Sequence, residues 1–205
     1  EALKAGCEVY QTLKGIIKQK YGAEGTCVGD EGGFAPNISN EREVLEMITK
    51  AINDAGYANK VKIALDVAAS EFYSEETKSY NLNFKDPSAK SAKRILNSSE
   101  LSDLYVALVK EFPIVSIEDP FDQRDWDGWQ ELTSKIGKET QIVGDDLLVT
   151  NPTRINQAVH KKACNALLLK INQIGTITES IEASNIARKN NWGVMVSHRS
   201  GETED

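Results

Sequence analysis

The sequence has few cysteines, and their spacing is not that of a cross-linked or metal-binding fold. Cys7, Cys27 and Cys164 are an odd number in 205 residues, and no two of them form a CxxC pair. This argues against a disulfide framework and against a thiolate metal site, because both need cysteines in matched sets. We therefore expect the protein to work in a reducing compartment, the cytoplasm.

The sequence also lacks an excess of positive charge and a long apolar run. Lys and Arg number 24 against 31 Asp and Glu, so the net charge is −7 at pH 7 and the pI is about 5.0. This balance argues against a nucleic-acid or anionic-membrane partner, since both attract basic surfaces. No apolar run approaches the roughly 20 residues of a membrane-spanning helix, and no secretory signal is recognisable. We expect no membrane span.

What the chain does contain is a regular alternation of strand and helix. Apolar spacing predicts helices over 2–20, from Ser39 or Asn40 to 56, from Ser98 or Ser99 to 112, and over 126–136, 152–162 and 176–190. Predicted strands cover 62–68, 114–118, 141–145, 166–171 and 193–197, with a hairpin at 74–84. Strands that alternate with helices of this length imply right-handed crossovers and a parallel sheet.

The spacing of charged residues at the strand ends favours a barrel over a doubly wound sheet. Positions 118, 145, 170 and 198 follow one another at intervals of 25 to 28 residues, and a barrel directs successive strand ends to one centre. A doubly wound nucleotide fold would carry a glycine-rich fingerprint after its first strand, which this sequence lacks. Because a barrel needs eight strands and five are clear, we expect residues 1–205 to be one domain, an incomplete (β/α)₈ TIM-type barrel.

Four predicted strands share one pattern, in which a short apolar run stops at a charged residue. Such runs suit strands buried on both faces, where a terminal charge is costly unless it has a use. The carboxyl ends of parallel strands are also where active sites of α/β folds assemble. The four runs are IALD at Asp66, IVSIED at Glu118 and Asp119, QIVGDD at Asp145 and Asp146, and LLLK at Lys170.

Three acids at neighbouring strand ends predict a site for a hard divalent cation. Asp66, Glu118 and Asp145 would repel one another or take up protons unless a cation lay between them. Oxygen ligands without His or Cys suit Mg²⁺. The alternative is that each acid caps the next helix or pairs with a basic neighbour. The doublets with Asp119 and Asp146 leave the choice of ligand open by one residue, since adjacent strand residues point to opposite faces.

Basic and polar candidates follow the later strands. Lys170 is interpreted either as a base whose pKa falls near a divalent cation or as a structural ion-pair partner. His198, Arg199 and Ser200 in SHRSGETED combine a ring, a forked cation and a hydroxyl, a set that suits an anionic group such as phosphate. The alternative is a polar loop packed on itself. Loop 29–37 could bring Asp30 or Glu31 to a ligand, although an exposed acidic turn has the same composition.

Several segments, taken in order, closely resemble the enolase family. They are VGDEGGFAPN, LDVAASEFY, SIEDPFDQRDW, GDDLLVTNP, LLLKINQIGTITES and GVMVSHRSGETED. The resemblance covers nearly the whole chain, and LLLKINQIGTITES with SHRSGETED is its most specific part. It implies most of the family's carboxyl-terminal barrel domain, with the amino-terminal α+β domain and the last barrel unit lying outside residues 1–205.

The resemblance implies a glycolytic hydro-lyase and a metal site. The reaction is the Mg²⁺-dependent reversible dehydration of 2-phospho-D-glycerate to phosphoenolpyruvate through an enediolate. Asp66, Glu118 and Asp145 match the family's ligands for Mg²⁺, which resolves both doublets in favour of the first residue. Lys170 matches the base that removes the C2 proton, and Glu118 and Asp145 also line the substrate.

The resemblance further implies the remaining catalytic and substrate-binding residues that the chain contains. Glu31 matches the acid that assists departure of the C3 hydroxyl. Ser197, His198, Arg199 and Ser200 match the substrate-binding loop, in which Arg199 and Ser200 face the phosphate. The implied protein is a homodimer when full-length, and we expect the 205-residue chain by itself to be inactive and poorly folded because an open barrel leaves strand edges unpaired.

Two other functions remain as alternatives. Another Mg²⁺-dependent enzyme of the enolase superfamily would share the acidic ring but should lack the SHRS loop. A non-catalytic, enolase-derived binding protein would keep the fold and lose catalytic residues. The family positions within this sequence are intact, which favours an enzyme.

Overall fold

The computed structural model describes residues 1–38, 40–84, 94–199 and 201. Its helices are α1 (Ala2–Tyr21), α2 (Glu41–Asp54), α3 (Ser98–Glu111), α4 (Trp126–Ile136), α5 (Pro152–Lys161), α6 (Ile171–Ile174) and α7 (Ile177–Lys189). Its strands are β1 (Ile63–Asp66), β2 (Tyr73–Ser74), β3 (Ser79–Asn81), β4 (Ile95–Leu96), β5 (Ile114–Glu118), β6 (Gln141–Gly144), β7 (Ala166–Leu169) and β8 (Gly193–Val196). Short 3₁₀ turns cover Glu24–Thr26 and Ala69–Phe72.

The chain divides into two compact units, residues 1–62 and 63–205. In the first, α1 packs against α2, and the buried side chains include Ile17, Leu45 and Ile52. The predicted start of α2 at Asn40 is confirmed, because the Asn40 side chain accepts a hydrogen bond from the backbone N–H of Arg42 at 2.9 Å. Ser39, the other predicted cap, lies outside the described residues. That residues 1–205 form a single domain stays a prediction.

The second unit is built on a five-stranded sheet with the order β1-β5-β6-β7-β8. Neighbouring strands are parallel throughout, as the alternation of strand and helix predicted. Burial is greatest in β6 and β7, where Ile142, Val143 and Leu167 are fully enclosed. Because all five strands run the same way, their carboxyl ends lie at one edge of the sheet.

The segment between β1 and α3 forms a separate antiparallel sheet of β2, β3 and β4. The predicted hairpin is confirmed in its β2–β3 pair, and β4 adds a strand that the sequence pattern did not predict. Tyr80 joins this sheet to the segment that follows β5, because its buried hydroxyl donates to Asp125 at 2.7 Å and accepts from the N–H of Asp122 at 3.0 Å.

Helix α3 begins at Ser98, one of the two predicted starts, and Asn97 precedes it as the cap. Asn97 and Glu100 form a capping box in which each side chain accepts from the other residue's N–H, both at 2.9 Å.

Across the described ranges, no helix is both long enough and apolar enough to cross a membrane.

Candidate metal and proton-transfer site

The residues predicted from the strand ends lie at one edge of the parallel sheet. Asp66 ends β1 and Glu118 ends β5, and these two residues are register partners. Asp145 directly follows β6, Lys170 directly follows β7, and Ser197 directly follows β8. Since neighbouring strands are about 4.8 Å apart, this edge concentrates carboxylates and a lysine in a small region.

The acids at this edge are held where ionisation is unfavourable. Burial, together with the negative charges of Asp66 and Asp145, raises the pKa of Glu118 to about 7. Burial also raises the pKa of Asp66, with the charge of Asp145 as a further cause, while a hydrogen bond from the N–H of Ala68 opposes the rise. A proton or a cation would relieve this crowding.

Asp145 is the best-connected acid of the group. Its Oδ2 accepts a hydrogen bond from Lys170 Nζ at 2.5 Å, and its Oδ1 accepts from Gln173 Nε2 at 2.7 Å. The side chains of the ion pair are largely buried, at 12% exposure for Asp145 and 15% for Lys170. The structure therefore joins a predicted metal ligand directly to the predicted base.

The backbone of Lys170 is held by a second group of contacts that sequence reasoning missed. Its N–H donates to Oγ1 of Thr150 at 2.9 Å, and the Thr150 hydroxyl donates to Oε1 of Gln173 at 2.8 Å. Both residues lie within segments already singled out, GDDLLVTNP and LLLKINQIGTITES. Neither residue type carries a charge that would have marked it as part of the site.

Asp119, the second member of its doublet, has a different environment from Glu118. It is 4% exposed and has a left-handed backbone, with φ of 42°. Its Oδ1 accepts the N–H of Asp145 and its Oδ2 accepts the N–H of Asp146, both at 2.9 Å. Burial raises its pKa to about 7, although the two hydrogen bonds oppose the rise. Asp119 thus joins the ends of β5 and β6.

A group of acids that differs from the predicted set has metal-ligand spacing. Asp119, Asp145 and Asp146 each present one carboxylate oxygen within 4.8 Å of the others. Together with the predicted set of Asp66, Glu118 and Asp145, this gives two candidate ligand sets that share Asp145. Carboxylate oxygens of either set have the chemistry that a divalent cation such as Mg²⁺ requires.

The predicted anion-binding residues follow β8. The N–H of Ser197 donates to the carbonyl of Leu169 at 3.0 Å, which extends the pairing of β7 and β8 by one residue. The Ser197 hydroxyl donates to the carbonyl of His198, and His198 Nδ1 lies 3.0 Å from the carbonyl oxygen of Arg199. His198 and Arg199 are exposed. Ser200 lies outside the described residues.

Glu31 belongs to the first unit, in a turn between Val28 and Phe34, which form an isolated bridge. The turn is fixed to α1, since the Tyr10 hydroxyl donates to the carbonyl of Gly32 at 2.7 Å and the Tyr10 ring stacks on Phe34 at 4.4 Å. Glu31 itself is exposed. The catalytic role of Glu31 stays a prediction.

Comparison with known proteins gives a consistent result over the full chain. Residues 1–205 match the family model described as enolase, C-terminal TIM barrel domain. The chain is 60% identical over 205 residues to a protein named enolase from Solanum lycopersicum and to one with that name from Eimeria tenella. Each alignment covers 100% of this chain and 46% of the relative, so the chain spans about half the length of the curated relatives it matches. The barrel match and the parallel sheet confirm the predicted fold class.

Proposed function

The chain belongs to the enolase family, and on that premise we propose that the whole protein carrying it catalyses the reversible dehydration of 2-phospho-D-glycerate to phosphoenolpyruvate. The observation that carries the proposal is the contact of 2.5 Å between Lys170 Nζ and Asp145, beside the crowded carboxylates of Asp66 and Glu118. A proton acceptor next to a cation site is what removal of a proton beside a carboxylate requires. The reaction would belong to glycolysis.

We assign the metal to Asp66, Glu118 and Asp145. Asp119 is the weaker candidate because both of its oxygens already accept backbone N–H groups. Oxygen donors favour Mg²⁺ over softer metals. When bound, Mg²⁺ would supply positive charge to stabilise the enediolate, the chemistry established for enolase-superfamily sites.

The chain's own residues would divide the proton transfers between them. Lys170 would take the C2 proton on Nζ, and Glu31 would give a proton to the C3 hydroxyl, which leaves as water. The loop of Ser197, His198, Arg199 and Ser200 would bind the phosphate, since a guanidinium matches its oxygens in a forked geometry. The proposed protein is a cytoplasmic homodimer, and its substrate is a small molecule.

The test is the formation of phosphoenolpyruvate from 2-phosphoglycerate by the whole protein. We expect turnover with Mg²⁺, loss of turnover after chelation and recovery when Mg²⁺ is restored. A folded whole protein that shows no turnover at saturating Mg²⁺ and substrate would overturn the proposal.

A further inference from the structure

We propose that Thr150 and Gln173 are positioning residues that hold the amine of Lys170 and the carboxylate of Asp145 in one arrangement. The inference rests on the proposed function, in which Lys170 is the base and Asp145 a metal ligand. Neither Thr150 nor Gln173 needs to touch the substrate for this role. Together with Lys170 and Asp145 they form a closed ring of hydrogen bonds.

Thr150 is the first member of the ring. It is fully buried, so its hydroxyl must find its partners within the protein. It accepts the N–H of Lys170 at 2.9 Å and has one proton to give. Gln173 Oε1, at 2.8 Å, is the nearer acceptor for that proton, since the carbonyl of Leu168 is 3.5 Å away.

Gln173 passes this orientation on to Asp145. Because Thr150 donates to Oε1, the amide must present its Nε2 to Asp145, where it donates to Oδ1 at 2.7 Å. The reversed amide would place Oε1 against a carboxylate oxygen, which is repulsive. The position of one hydroxyl proton therefore fixes which carboxylate oxygen Gln173 takes and leaves Oδ2 for Lys170.

Lys170 closes the ring from both of its ends. Its backbone N–H is bound by Thr150, and its Nζ donates to Asp145 Oδ2 at 2.5 Å. The base and the carboxylate are thus held through the same two neighbours. A displacement of either neighbour would change the separation of the two functional groups.

The backbone at Thr150 also indicates a constrained position. Val149 and Thr150 both have left-handed φ angles, 43° and 54°. Consecutive β-branched residues rarely adopt this conformation, and where such strain persists it often accompanies a functional site. Here it places the Thr150 hydroxyl between Lys170 and Gln173.

The experiment uses the whole protein with Thr150→Val, which removes the hydroxyl at nearly constant shape, and Thr150→Ser, which restores it. Gln173→Met removes the amide on a half-exposed residue of α6, so it still tests the ring if Thr150→Val does not fold. Gln157→Met is the matched control at an exposed position of α5.

Two measurements are made on each variant. In the metal-free protein without substrate, the extent of acetylation of Lys170 is measured by mass spectrometry. The acetylation ratio is this extent divided by the extent of acetylation of the exposed Lys18 in the same sample. In the Mg²⁺-loaded protein, kcat and KM are measured for 2-phosphoglycerate. Loss of the ring should raise the acetylation ratio several-fold, because Lys170 would spend less time bound to Asp145.

We expect Thr150→Val and Gln173→Met to lower kcat by about 10- to 100-fold with little change in KM, the effect of misplacing a reacting group. Thr150→Ser and Gln157→Met should behave as the unmodified protein. Unchanged acetylation ratios and kcat in Thr150→Val and Gln173→Met would overturn the proposal, as would lower thermal stability alone. An unmodified protein without turnover would overturn the proposed function, while the acetylation ratios would still decide whether the ring holds Lys170.

Discussion

Asp66 and Glu118 are register partners at the last positions of two adjacent parallel strands. The fold therefore fixes two carboxylates side by side, and the charge of each disfavours ionisation of the other. The pKa of both groups is raised, with burial as the first cause. Folding of the metal-free protein thus has an unfavourable electrostatic contribution, which a proton or a cation removes.

The first prediction is a stability that falls with rising pH in the metal-free whole protein. The pKa of Glu118 rises from its ordinary 4.5 to about 7 on folding. Between these two pH values the folded state holds a proton that the unfolded state has released. The contribution of this proton to the free energy of unfolding is therefore complete below pH 4.5 and is lost as pH rises through 7. The thermal midpoint at pH 8 should lie below that at pH 6.

Glu118→Gln isolates this contribution, since glutamine stays neutral. The thermal midpoint of the variant minus that of the unmodified protein should be larger at pH 8 than at pH 6. A difference between the two proteins that does not change with pH would contradict the raised pKa of Glu118.

The second prediction separates the two candidate ligand sets. Asp66→Asn and Glu118→Gln should each weaken Mg²⁺ binding, measured by calorimetry. Mutation of a residue that only hydrogen-bonds to a metal ligand typically weakens metal binding by roughly 10- to 100-fold, and loss of a ligand itself should weaken it at least as much. Asp146→Asn should have a smaller effect. Asp103→Asn is the control, because Asp103 is exposed and its ion pair with Lys135 lies outside both sets. Normal binding by Asp66→Asn together with failure of Asp146→Asn would instead favour the set that contains Asp119.

The third prediction concerns the base. Lys170→Ala in the whole protein should abolish exchange of the C2 proton of 2-phosphoglycerate with solvent, followed by NMR in deuterated water. Lys18→Ala is the control, because Lys18 is exposed on α1. This variant should catalyse exchange of the C2 proton as the unmodified protein does. Persistence of exchange in a folded Lys170→Ala protein would remove Lys170 from this role.

The fourth prediction concerns Asp119. Asp119→Asn should lower the thermal midpoint, because asparagine would turn its NH₂ group towards the N–H of Asp145 or Asp146. Leaving one such N–H buried without an acceptor costs about 1–3 kcal/mol of unfolding free energy. Asp103→Asn should cost less than about 1 kcal/mol, the usual value for an exposed pair. Equal effects of the two substitutions would show that the Asp119 contacts contribute little to stability.

The sequence predicted the order of the elements because the periodicity of apolar residues is a local signal. Strand 114–118 and helix 126–136 agree with the structure to the residue, and the strand after 141 ends one residue early, at Gly144. The same signal placed Asp66, Glu118 and Lys170 at strand ends. Strand β4 was missed because Ile95–Leu96 is too short to show a pattern.

The contacts between distant segments could not be read from the sequence. Nothing local distinguishes Asp119, which binds backbone N–H groups of the next strand, from Glu118 beside it, so the residues alone left that choice open. Thr150 and Gln173 are uncharged and lie 23 positions apart. Their partnership depends on the arrangement of β6, β7 and α6, which only the folded chain provides.

Strand β6 has β5 on one side and β7 on the other, and its Ile142 and Val143 are fully buried. Amides in such a strand exchange their hydrogens with deuterated solvent only in rare openings of the surrounding sheet. The N–H of Asp145 belongs with these slow amides, because its acceptor is the buried carboxylate of Asp119. We therefore expect the backbone of Asp145 to keep its position in the long intervals between those openings.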